Sequence, residues 1–205
     1  MMLSSRIEYI LFDYGNVLAW FDNHRFVAGM LPGASCAALE EAWLRLYRGS
    51  NLPVAFETGR ISIPEFRRGV CDLLGVPLDE DAFDRAFCGI FRRVPEMVEL
   101  IAWLRSRCRL GLLSNTNALH EQREILTFPG VADMAAVTLS HRVGAMKPDP
   151  RIYRAAIDAA GVPPAAILYL DDMPAYVEAG RGAGLQAWQV ADPVATARRL
   201  RELLA

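Results

Sequence analysis

Polar residues able to do chemistry come directly after short apolar runs at three places in this sequence. Asp13 follows "YILF", Ser114 and Asn115 follow "LGLL", and "ILYL" runs into Asp171 and Asp172. A single Asp or Ser at such a point is most often a turn or helix-capping residue. An adjacent pair of carboxylates is harder to explain in that way, because the two charges repel each other in a dry site unless a cation lies near them.

The chemistry that these residues offer together is phosphoryl transfer. Asp13 is a carboxylate nucleophile able to form a covalent acyl phosphate. With Asp172 and a backbone carbonyl of the turn, it also offers the hard oxygen ligands that Mg²⁺ prefers. Lys147, in the loop "GAMKPDP" after a fourth apolar run, supplies a cation for phosphoryl oxygens, and Ser114 supplies a hydroxyl and nearby amides. The combination predicts metal-assisted phosphoryl transfer to an aspartate.

The elements that must position these residues alternate along the second half of the chain. After Pro95, amphipathic segments typical of helices separate apolar runs typical of buried strands, which are "RLGLLS", "AAVTLS", "AILYLD" and "LQAWQV". This alternation predicts right-handed crossovers and a mostly parallel sheet covered on both faces. We therefore predict an α/β, doubly wound (Rossmann-like) fold. The polar strand ends then lie along one edge, where ligands bind in such sheets.

Residues 21–94 have a different pattern, which predicts a small α-helical cap inserted after the first strand. Amphipathic stretches such as "CAALEEAWLRLYRG" and "EDAFDRAFCGIFRR" have apolar positions three and four apart, and Pro and Gly residues separate them. Ser62 followed by Pro64 is typical of a helix N-cap and first turn. The block contains no strand pattern. The predicted division is an α/β core of residues 1–20 and 95–205 with a helical cap of residues 21–94.

Composition narrows the classes of function. The 205 residues are 53% hydrophobic and 22% charged, which is enough apolar material for a large core and argues against global disorder. The net charge is −2, and the chain has no basic run of the kind that binds nucleic acid. We expect Arg92-Arg93 and Arg198-Arg199 to lie on solvated helix faces. No nucleic-acid partner is expected.

Targeting, metal and disulfide patterns favour a cytoplasmic protein. Arg6 and Glu8 interrupt the one apolar stretch that could serve as a signal peptide. No run approaches the ~20 apolar residues of a membrane-spanning helix, so no membrane association is expected. The four cysteines contain no CxxC pair and are expected to be reduced and mostly buried. The three histidines lack metal-ligand spacing, which disfavours zinc.

These motifs resemble those of the haloacid dehalogenase-like hydrolase superfamily, over essentially the full length of the chain. "LFDYGNVL" resembles the first motif, with Asp13 as nucleophile, and "LGLLSNTN" resembles the second, with Ser114. "GAMKPDPRIY" resembles the third, with Lys147, and "ILYLDD" resembles the acidic fourth. The long gap between the first and second motifs suits a helical cap. The closer resemblance is to a phosphatase-like subgroup that includes bacterial sugar-phosphate phosphatases such as the alpha-glucose-1-phosphate phosphatase.

The resemblance implies a cofactor, a substrate class and roles for individual residues. It implies a Mg²⁺-dependent phosphatase that hydrolyses a small phosphomonoester, such as a sugar phosphate, through an aspartyl-phosphate intermediate on the nucleophile. The residues implied as metal ligands are Asp13, Gly15 through its backbone carbonyl, and Asp172, with Asp171 adjacent. The groups implied to hold the phosphate are Ser114, the Asn115 amide and Lys147.

Two positions depart from the family pattern. The usual second Asp of the first motif protonates the leaving group and then activates water, and here it is replaced by Gly15. Losing a general acid slows the release of a simple alkoxide by about 10²–10⁴-fold. Asp22 and His24 are candidate substitutes, although turn or capping roles suit them better. Tyr176 stands where relatives often carry Asn or Asp, which weakens the support expected for the metal ligands.

Two other functions stay open. Dehalogenases of the same superfamily use an aspartate nucleophile without the second Asp and without metal. Their opening differs from Gly15-Asn16-Val17, so we favour phosphatase activity. A catalytically weak binding or regulatory protein is the other alternative, which Gly15 and Tyr176 favour. The sequence leaves the substrate and the choice between monomer and homodimer open. Aromatic residues that could line a pocket mouth, but are more often core, are Trp20, Phe21, Trp43, Tyr47 and Phe56.

Overall fold

A parallel sheet forms the centre of the computed structural model, which describes residues 7–204; residues 1–6, Arg6 among them, and Ala205 lie outside the described part. The strands of the described part are β1 (Tyr9–Phe12), β2 (Ala19–Phe21), β3 (Phe91–Arg93), β4 (Arg109–Ser114), β5 (Ala136–Leu139), β6 (Ile167–Asp171) and β7 (Gln186–Gln189). Five of them form the sheet in the order β5-β4-β1-β6-β7, with every neighbouring pair parallel. This confirms the predicted α/β, doubly wound fold.

β1 is apolar throughout because both of its faces are buried. Successive side chains of a strand point to opposite faces, so Ile10 and Phe12 enter one apolar cluster whereas Tyr9 and Leu11 enter another. All four side chains are at most 1% exposed. A strand with a layer on each side therefore shows a continuous apolar run, where a half-buried strand would alternate.

Between β2 and β3, the chain forms helices that pack around an aromatic cluster of their own. These helices are α1 (Asn23–Met30), α2 (Cys36–Tyr47), α3 (Leu52–Glu57), α4 (Ile63–Leu74) and α5 (Glu80–Cys88). Phe66 lies at the centre of the cluster, edge to face with Phe83 and tilted against Phe87. We propose that this helical layer is the cap, and the limits predicted for it, residues 21–94, remain our interpretation.

The N-terminus of α4 has the capping residues predicted for it. Ser62 is the N-cap, and its side-chain oxygen accepts a hydrogen bond from the backbone N–H of Glu65. The Glu65 carboxylate in turn accepts from the Ser62 N–H at 2.7 Å, which completes a capping box. Pro64 lies in the first turn, where its missing N–H would have had no helical partner. The predicted N-cap and first turn are confirmed.

The remaining helices cover both faces of the sheet. They are α6 (Pro95–Leu104), α7 (Ala118–Arg123), α8 (Ser140–Val143), α9 (Pro150–Ala160), α10 (Pro174–Gly182) and α11 (Pro193–Leu204). Met97 of α6 and Leu200 of α11 pack against one face, and Tyr153 of α9 and Val177 of α10 pack against the other. No helix within residues 7–204 is long and apolar enough to cross a membrane.

The expectation that residues 21–94 contain no strand is wrong. β2 and β3 pair antiparallel, with Trp20 opposite Arg92. Each strand has 3 residues, which is too short for an alternating pattern to register in the sequence. The helix face expected for Arg92-Arg93 is therefore wrong as well. The Arg92 guanidinium lies 4.5 Å from the centre of the Trp20 ring, in a cation–π contact across the two strands.

The segment "NALHEQREIL", one of the amphipathic segments between the strands, predicts a longer helix than the structure has. α7 stops at Arg123, and Glu124 departs from helical geometry with φ −129° and ψ −60°. The Glu124 carboxylate accepts a hydrogen bond from the Tyr14 hydroxyl at 2.6 Å. A partly buried tertiary hydrogen bond of this kind outweighs the small intrinsic helix preference of a single residue.

The cysteines are unpaired, as expected, but they differ in exposure. Cys71 is buried, and Cys88 and Cys108 are half-buried. Cys36 is exposed at the start of α2, so the expectation of mostly buried thiols is wrong at that position. Burial raises the pKa of Cys88 to about 12, which keeps this thiol protonated and unreactive at neutral pH.

Gly59, shortly after α3, lies against α8. Its φ is +68°, and a Cβ atom built on it would lie 2.3 Å from the backbone oxygen of His141. A side chain at this position would need both a left-handed backbone and space that another backbone already occupies. The close approach fixes the C-terminal end of α3 relative to the sheet and its helices.

Replacing Gly59 by Ala should lower the free energy of unfolding by about 2–4 kcal/mol, from the left-handed backbone and from overpacking together. Gly33→Ala is the matched control, because Gly33 has φ +83° but no atom within 4 Å of the added Cβ. The control should lose only the backbone part, about 1–2 kcal/mol. Urea unfolding followed by circular dichroism measures both losses. Equal losses would contradict a tight contact with His141.

Candidate active site

The strand register brings two aspartates side by side at the carboxyl edge of the sheet. Phe12 of β1 pairs with Leu170 of β6, so Asp13 and Asp171, one residue further along, are neighbours. The Asp13 N–H donates to the Leu170 carbonyl at 2.8 Å, which continues the ladder beyond β1. On the other side of β1, β4 ends at Ser114 on the same edge.

Lys147 places its ammonium between these two carboxylates. Its Nζ lies 2.8 Å from Oδ1 of Asp13 and 2.6 Å from Oδ2 of Asp171, and all three side chains are at least nine-tenths buried. Burial lowers the pKa of Lys147, but the charges of the two aspartates outweigh this effect and raise the pKa above its ordinary value. The ammonium therefore stays charged and holds both carboxylates.

Asp171 is fully buried, and both of its oxygens accept hydrogen bonds. Oδ2 accepts from Lys147 and from the Tyr169 hydroxyl, and Oδ1 accepts from the Met173 N–H at 2.8 Å. Burial and the nearby charge of Asp171 raise the pKa of Tyr169, so its hydroxyl stays a donor. These contacts give Asp171 the role of holding Lys147 in position, beside the metal-ligand role predicted for it.

Asp13, Asp171 and Asp172 form a group that could hold a metal ion, since one oxygen from each lies within 4.8 Å of the others. Burial raises the pKa of Asp13 to about 7, while Lys147 lowers it and Asp171 raises it further. Burial also raises the pKa of Asp172. Crowded and desolvated carboxylates with raised pKa values favour a second cation beside Lys147. The oxygen donors suit a hard divalent ion.

Paired hydrogen bonds attach the Lys147 loop to the end of β4. Nδ2 of Asn115 donates to the Lys147 carbonyl at 3.1 Å, and the Lys147 N–H donates to Oδ1 of Asn115 at 2.7 Å. One residue later, the Ser140 hydroxyl accepts from the Thr116 N–H at 2.8 Å and donates to the Thr116 carbonyl at 2.9 Å. The predicted phosphate-binding residues, Ser114 among them, thus share one cross-linked wall.

At Gly15, no side chain fits unless the Phe21 ring moves. A Cβ atom built at position 15 would lie 2.7 Å from Cε1 of Phe21. The Phe21 side chain, on β2, is 39% exposed and lines the cavity beside Gly15. An aromatic ring therefore stands next to the position where the family pattern has its second aspartate.

Asn16 contacts the site, although the sequence had not singled it out. Its Nδ2 donates to Oδ2 of Asp172 at 3.0 Å. Within residues 7–204, it is the one non-glycine residue with a positive φ, at +53°. Asn tolerates this left-handed conformation better than most residues, so an Asn directly after Gly15 was the available signal. The turn thus orients one of the predicted metal ligands.

These groups open into a cavity of about 290 Å³ between the sheet edge and the helical layer. Asp13, Ser114, Asn115, Lys147 and Asp172 all line it. Its wall also carries apolar and aromatic side chains, namely Phe21, Ile90, Phe91, Met146, Met173 and Tyr176. The Tyr176 ring centre lies 5.1 Å from the Lys147 ammonium, so Tyr176 makes a cation–π contact with the site.

Asp22 and His24 do not line this cavity. Asp22 is the N-cap of α1 and accepts from the His24 N–H at 2.9 Å, and the His24 ring stacks on Trp43 at 4.8 Å. Both have the local roles that we favoured for them. Two residues that the sequence had not indicated do line the cavity: Glu57 at the end of α3 and His120 of α7.

The fold and the site define an α/β protein with an acidic, lysine-bearing site at the carboxyl edge of a parallel sheet. Comparison with known families agrees, because residues 7–184 match the haloacid dehalogenase-like hydrolases. The chain belongs to this family and is a hydrolase, as its motifs had predicted.

Individual relatives are similar over most of their length. Phosphatase MT3486 of Mycobacterium tuberculosis (strain CDC 1551 / Oshkosh) is 30% identical, covering 90% of this chain and 87% of that protein. The D-ribitol-5-phosphate phosphatase of Bacteroides thetaiotaomicron is 26% identical, covering 89% and 91%. A solved structure of the HAD family enzyme bt-2542 from Bacteroides thetaiotaomicron, in complex with magnesium and inorganic phosphate, has the same fold. It has a TM-score of 0.76 at 23% identity, covering 89% of this chain and 93% of that one.

Replacing Lys147 by Met should cost about 3–5 kcal/mol of unfolding free energy at pH 8 in metal-free buffer, and clearly less at pH 5. Without the ammonium, the pKa of Asp13 rises further above its ordinary value. A carboxyl group whose pKa is raised on folding stabilises the protein below its unfolded pKa, and this stability is lost as the pH rises through the folded value. Urea unfolding at both pH values measures the effect.

Arg154→Met is the control for this change, because Arg154 is exposed on α9 and does not line the cavity. It should change the unfolding free energy by less than about 0.5 kcal/mol at either pH. A loss for Lys147→Met that is the same at pH 5 and pH 8 would contradict the role given to its charge.

Proposed function

We propose that this hydrolase is a Mg²⁺-dependent phosphatase that acts on a small phosphomonoester through an aspartyl-phosphate on Asp13. The observation that carries the proposal is the cavity in which the Asp13 carboxylate meets a buried lysine and a further carboxylate, Asp172. A nucleophile, a cation for phosphate oxygens and a set of hard ligands are the parts that phosphoryl transfer requires.

The donor set fits Mg²⁺. Asp13 and Asp172 are the proposed side-chain ligands, with the Gly15 carbonyl as a backbone ligand and Asp171 adjacent. Bound there, the ion would neutralise charge that develops on the phosphoryl oxygens and orient them for attack. The bt-2542 enzyme, which was solved with magnesium and inorganic phosphate, supports this choice of ion.

The chain's own residues carry the proposed reaction in two steps. An oxygen of Asp13 attacks phosphorus, and the bond from phosphorus to the leaving oxygen breaks, so the phosphoryl group is transferred to the aspartate. Lys147, Ser114 and the Asn115 amide hold the phosphoryl oxygens while negative charge develops on them. Water then attacks the same phosphorus, which releases inorganic phosphate and regenerates the Asp13 carboxylate.

A small substrate suits the cavity, and a sugar or polyol phosphate is the proposed class. A volume of about 290 Å³ is at the lower end for small-molecule sites. Named relatives are phosphatases, and one of them is a D-ribitol-5-phosphate phosphatase. The narrower likeness to the alpha-glucose-1-phosphate phosphatase stays a prediction. So do the cytoplasmic location and the choice between a monomer and a homodimer.

A metal-independent dehalogenase is the second candidate, and Gly15 is the observation that favours it. A halide leaves without a proton, so a site with no side chain at this position would not be handicapped. The crowding of Asp13, Asp171 and Asp172 favours the phosphatase, because three carboxylates around one ammonium leave negative charge that a second cation would balance.

Asp13→Asn should abolish Mg²⁺-dependent phosphatase activity, with a loss of at least about 10³-fold in kcat, because the amide is a poor nucleophile. A screen of phosphomonoesters and 2-haloacids, with and without Mg²⁺, measures phosphate and halide release. Asp22→Asn is the matched control, since Asn caps helices as well as Asp and position 22 lies outside the cavity. Halide release without metal would select the dehalogenase, and activity unchanged in Asp13→Asn would select a binding role.

Mg²⁺ should also raise the melting temperature, since an ion at 100 times its Kd stabilises the folded state by about 2.7 kcal/mol. Asp172→Asn should remove most of this shift. Asp158→Asn, an exposed position on α9, should keep it. Binding should weaken below pH 7, because protons compete for Asp13, whose pKa burial raises to about 7. Calorimetric scans with and without Mg²⁺ give the shifts, and an equal shift in both variants would locate the ion elsewhere.

A further inference from the structure

Glu57 is a carboxylate that faces the cavity from the helical layer. It is the last residue of α3, is half-buried, and lines the same cavity as Asp13 and Lys147. Within residues 7–204, its carboxylate makes no hydrogen bond and no salt bridge. A half-buried carboxylate without a partner is uncommon, because desolvation costs free energy that no contact offsets.

The neighbours of Glu57 hold it in position. Phe56 is 2% exposed and stacks on Phe66 at 4.2 Å, and the Thr58 hydroxyl donates to the Val54 carbonyl at 2.6 Å. Gly59, two residues on, touches the backbone of the core. The end of α3 is therefore fixed on both sides of Glu57, so packing sets the backbone position from which its side chain reaches the cavity.

The electrostatics of this position favour a carboxyl group that exchanges a proton near neutral pH. Burial raises the pKa of Glu57 to about 7, although the Lys147 charge lowers it. Burial raises the pKa of Tyr47, on α2, and of Tyr176, on α10, and the charge of Glu57 raises both a little further, so both groups face it. His141 and Arg142, on the adjoining α8, are paired with Glu121 instead.

His120 and Gly15, which also line the cavity, are unsuited to proton transfer. His120 lines the cavity, but burial lowers its pKa to about 4. Its Nε2 donates a hydrogen bond to the Phe87 carbonyl at 3.0 Å, and its Nδ1 accepts one from Nδ2 of Asn117 at 3.1 Å. Both nitrogens of the neutral ring are therefore occupied. Gly15 has no side chain to offer.

We propose that Glu57 is the proton donor and acceptor of this site, supplied from the helical layer in place of an acid beside the nucleophile. This role rests on the proposed phosphatase function. The observations that carry it are the position of Glu57 in the cavity, a carboxylate with no hydrogen bond or salt bridge to any residue of 7–204, and the Phe21 ring that crowds position 15.

The proton transfers balance over one turnover. As the bond between phosphorus and the leaving oxygen breaks, the protonated Glu57 gives its proton to that oxygen, and the alcohol departs neutral. The Glu57 carboxylate then takes a proton from the water that attacks the phosphorus of the aspartyl-phosphate. The bond from phosphorus to Asp13 breaks, phosphate leaves, and Glu57 is protonated again for the next cycle.

The test compares Glu57→Gln with the unchanged enzyme on an alkyl phosphate and on p-nitrophenyl phosphate, both with Mg²⁺. Gln keeps the size and hydrogen-bonding capacity of the side chain but donates no acidic proton. kcat/KM for the alkyl phosphate should fall by about 10²-fold, because an alkoxide needs a proton, and for p-nitrophenyl phosphate by less than about threefold. In the wild-type enzyme, kcat/KM for the alkyl phosphate should decline above about pH 7, where Glu57 loses its proton. Glu57→Gln should not show this decline.

Two further variants make the result specific. Glu57→Asp keeps an acid on a shorter side chain and should recover part of the activity on the alkyl phosphate. Glu41→Gln, the same change on the exposed face of α2, should alter neither substrate. Equal losses of kcat/KM on both substrates, or a pH profile of Glu57→Gln that matches the wild type, would contradict the role of Glu57. The proposed phosphatase function would still stand. If the wild-type enzyme releases phosphate from neither substrate, the proposed phosphatase function is wrong, and this role of Glu57 is wrong with it.

Discussion

The ammonium of Lys147 between Asp13 and Asp171 is the interaction on which the site depends. Charges buried in a protein cost several kcal/mol each unless they are paired and hydrogen-bonded. Here Nζ reaches both carboxylates within 2.8 Å, and Asp171 takes further hydrogen bonds from the Tyr169 hydroxyl and the Met173 N–H. Because the ammonium pairs with both carboxylates, the fold can hold two buried aspartates side by side at the carboxyl edge of the sheet.

The two halves of the molecule contribute different chemistry to the cavity. The parallel sheet supplies charge at fixed positions, since each strand end is anchored by its ladder and the Lys147 loop is tied to Asn115 by paired hydrogen bonds. The helical layer supplies apolar wall and one carboxyl group, Glu57, whose pKa burial raises to about 7. In the proposed mechanism the metal ligands and the proton donor are different carboxyl groups, so the pKa of each can suit one role.

How far the sequence predicted the structure depended on the length of each pattern. The sheet and most helices were predictable, because buried strands and amphipathic helices repeat one physical constraint over several turns or pleats. The antiparallel pair β2 and β3 was missed, since 3 residues are too few for periodicity and the strands form by pairing across 69 intervening residues of chain, about a third of its length. The early end of α7 was missed because a distant residue, Tyr14, bonds Glu124.

The sequence by itself determined which residues reach the carboxyl edge of the sheet. Asp13, Ser114 and Asp172 follow apolar strands directly, and parallel strands end on one side, so local pattern was enough to group them. Only the tertiary structure decided what faces them. The pairing of Asn16 with Asp172, the Phe21 ring against Gly15 and the entry of Glu57 into the cavity all join residues distant in sequence or set by the packing of the helical layer. Such contacts depend on how separate elements pack against each other, and the periodicity of a single segment contains no information about that packing.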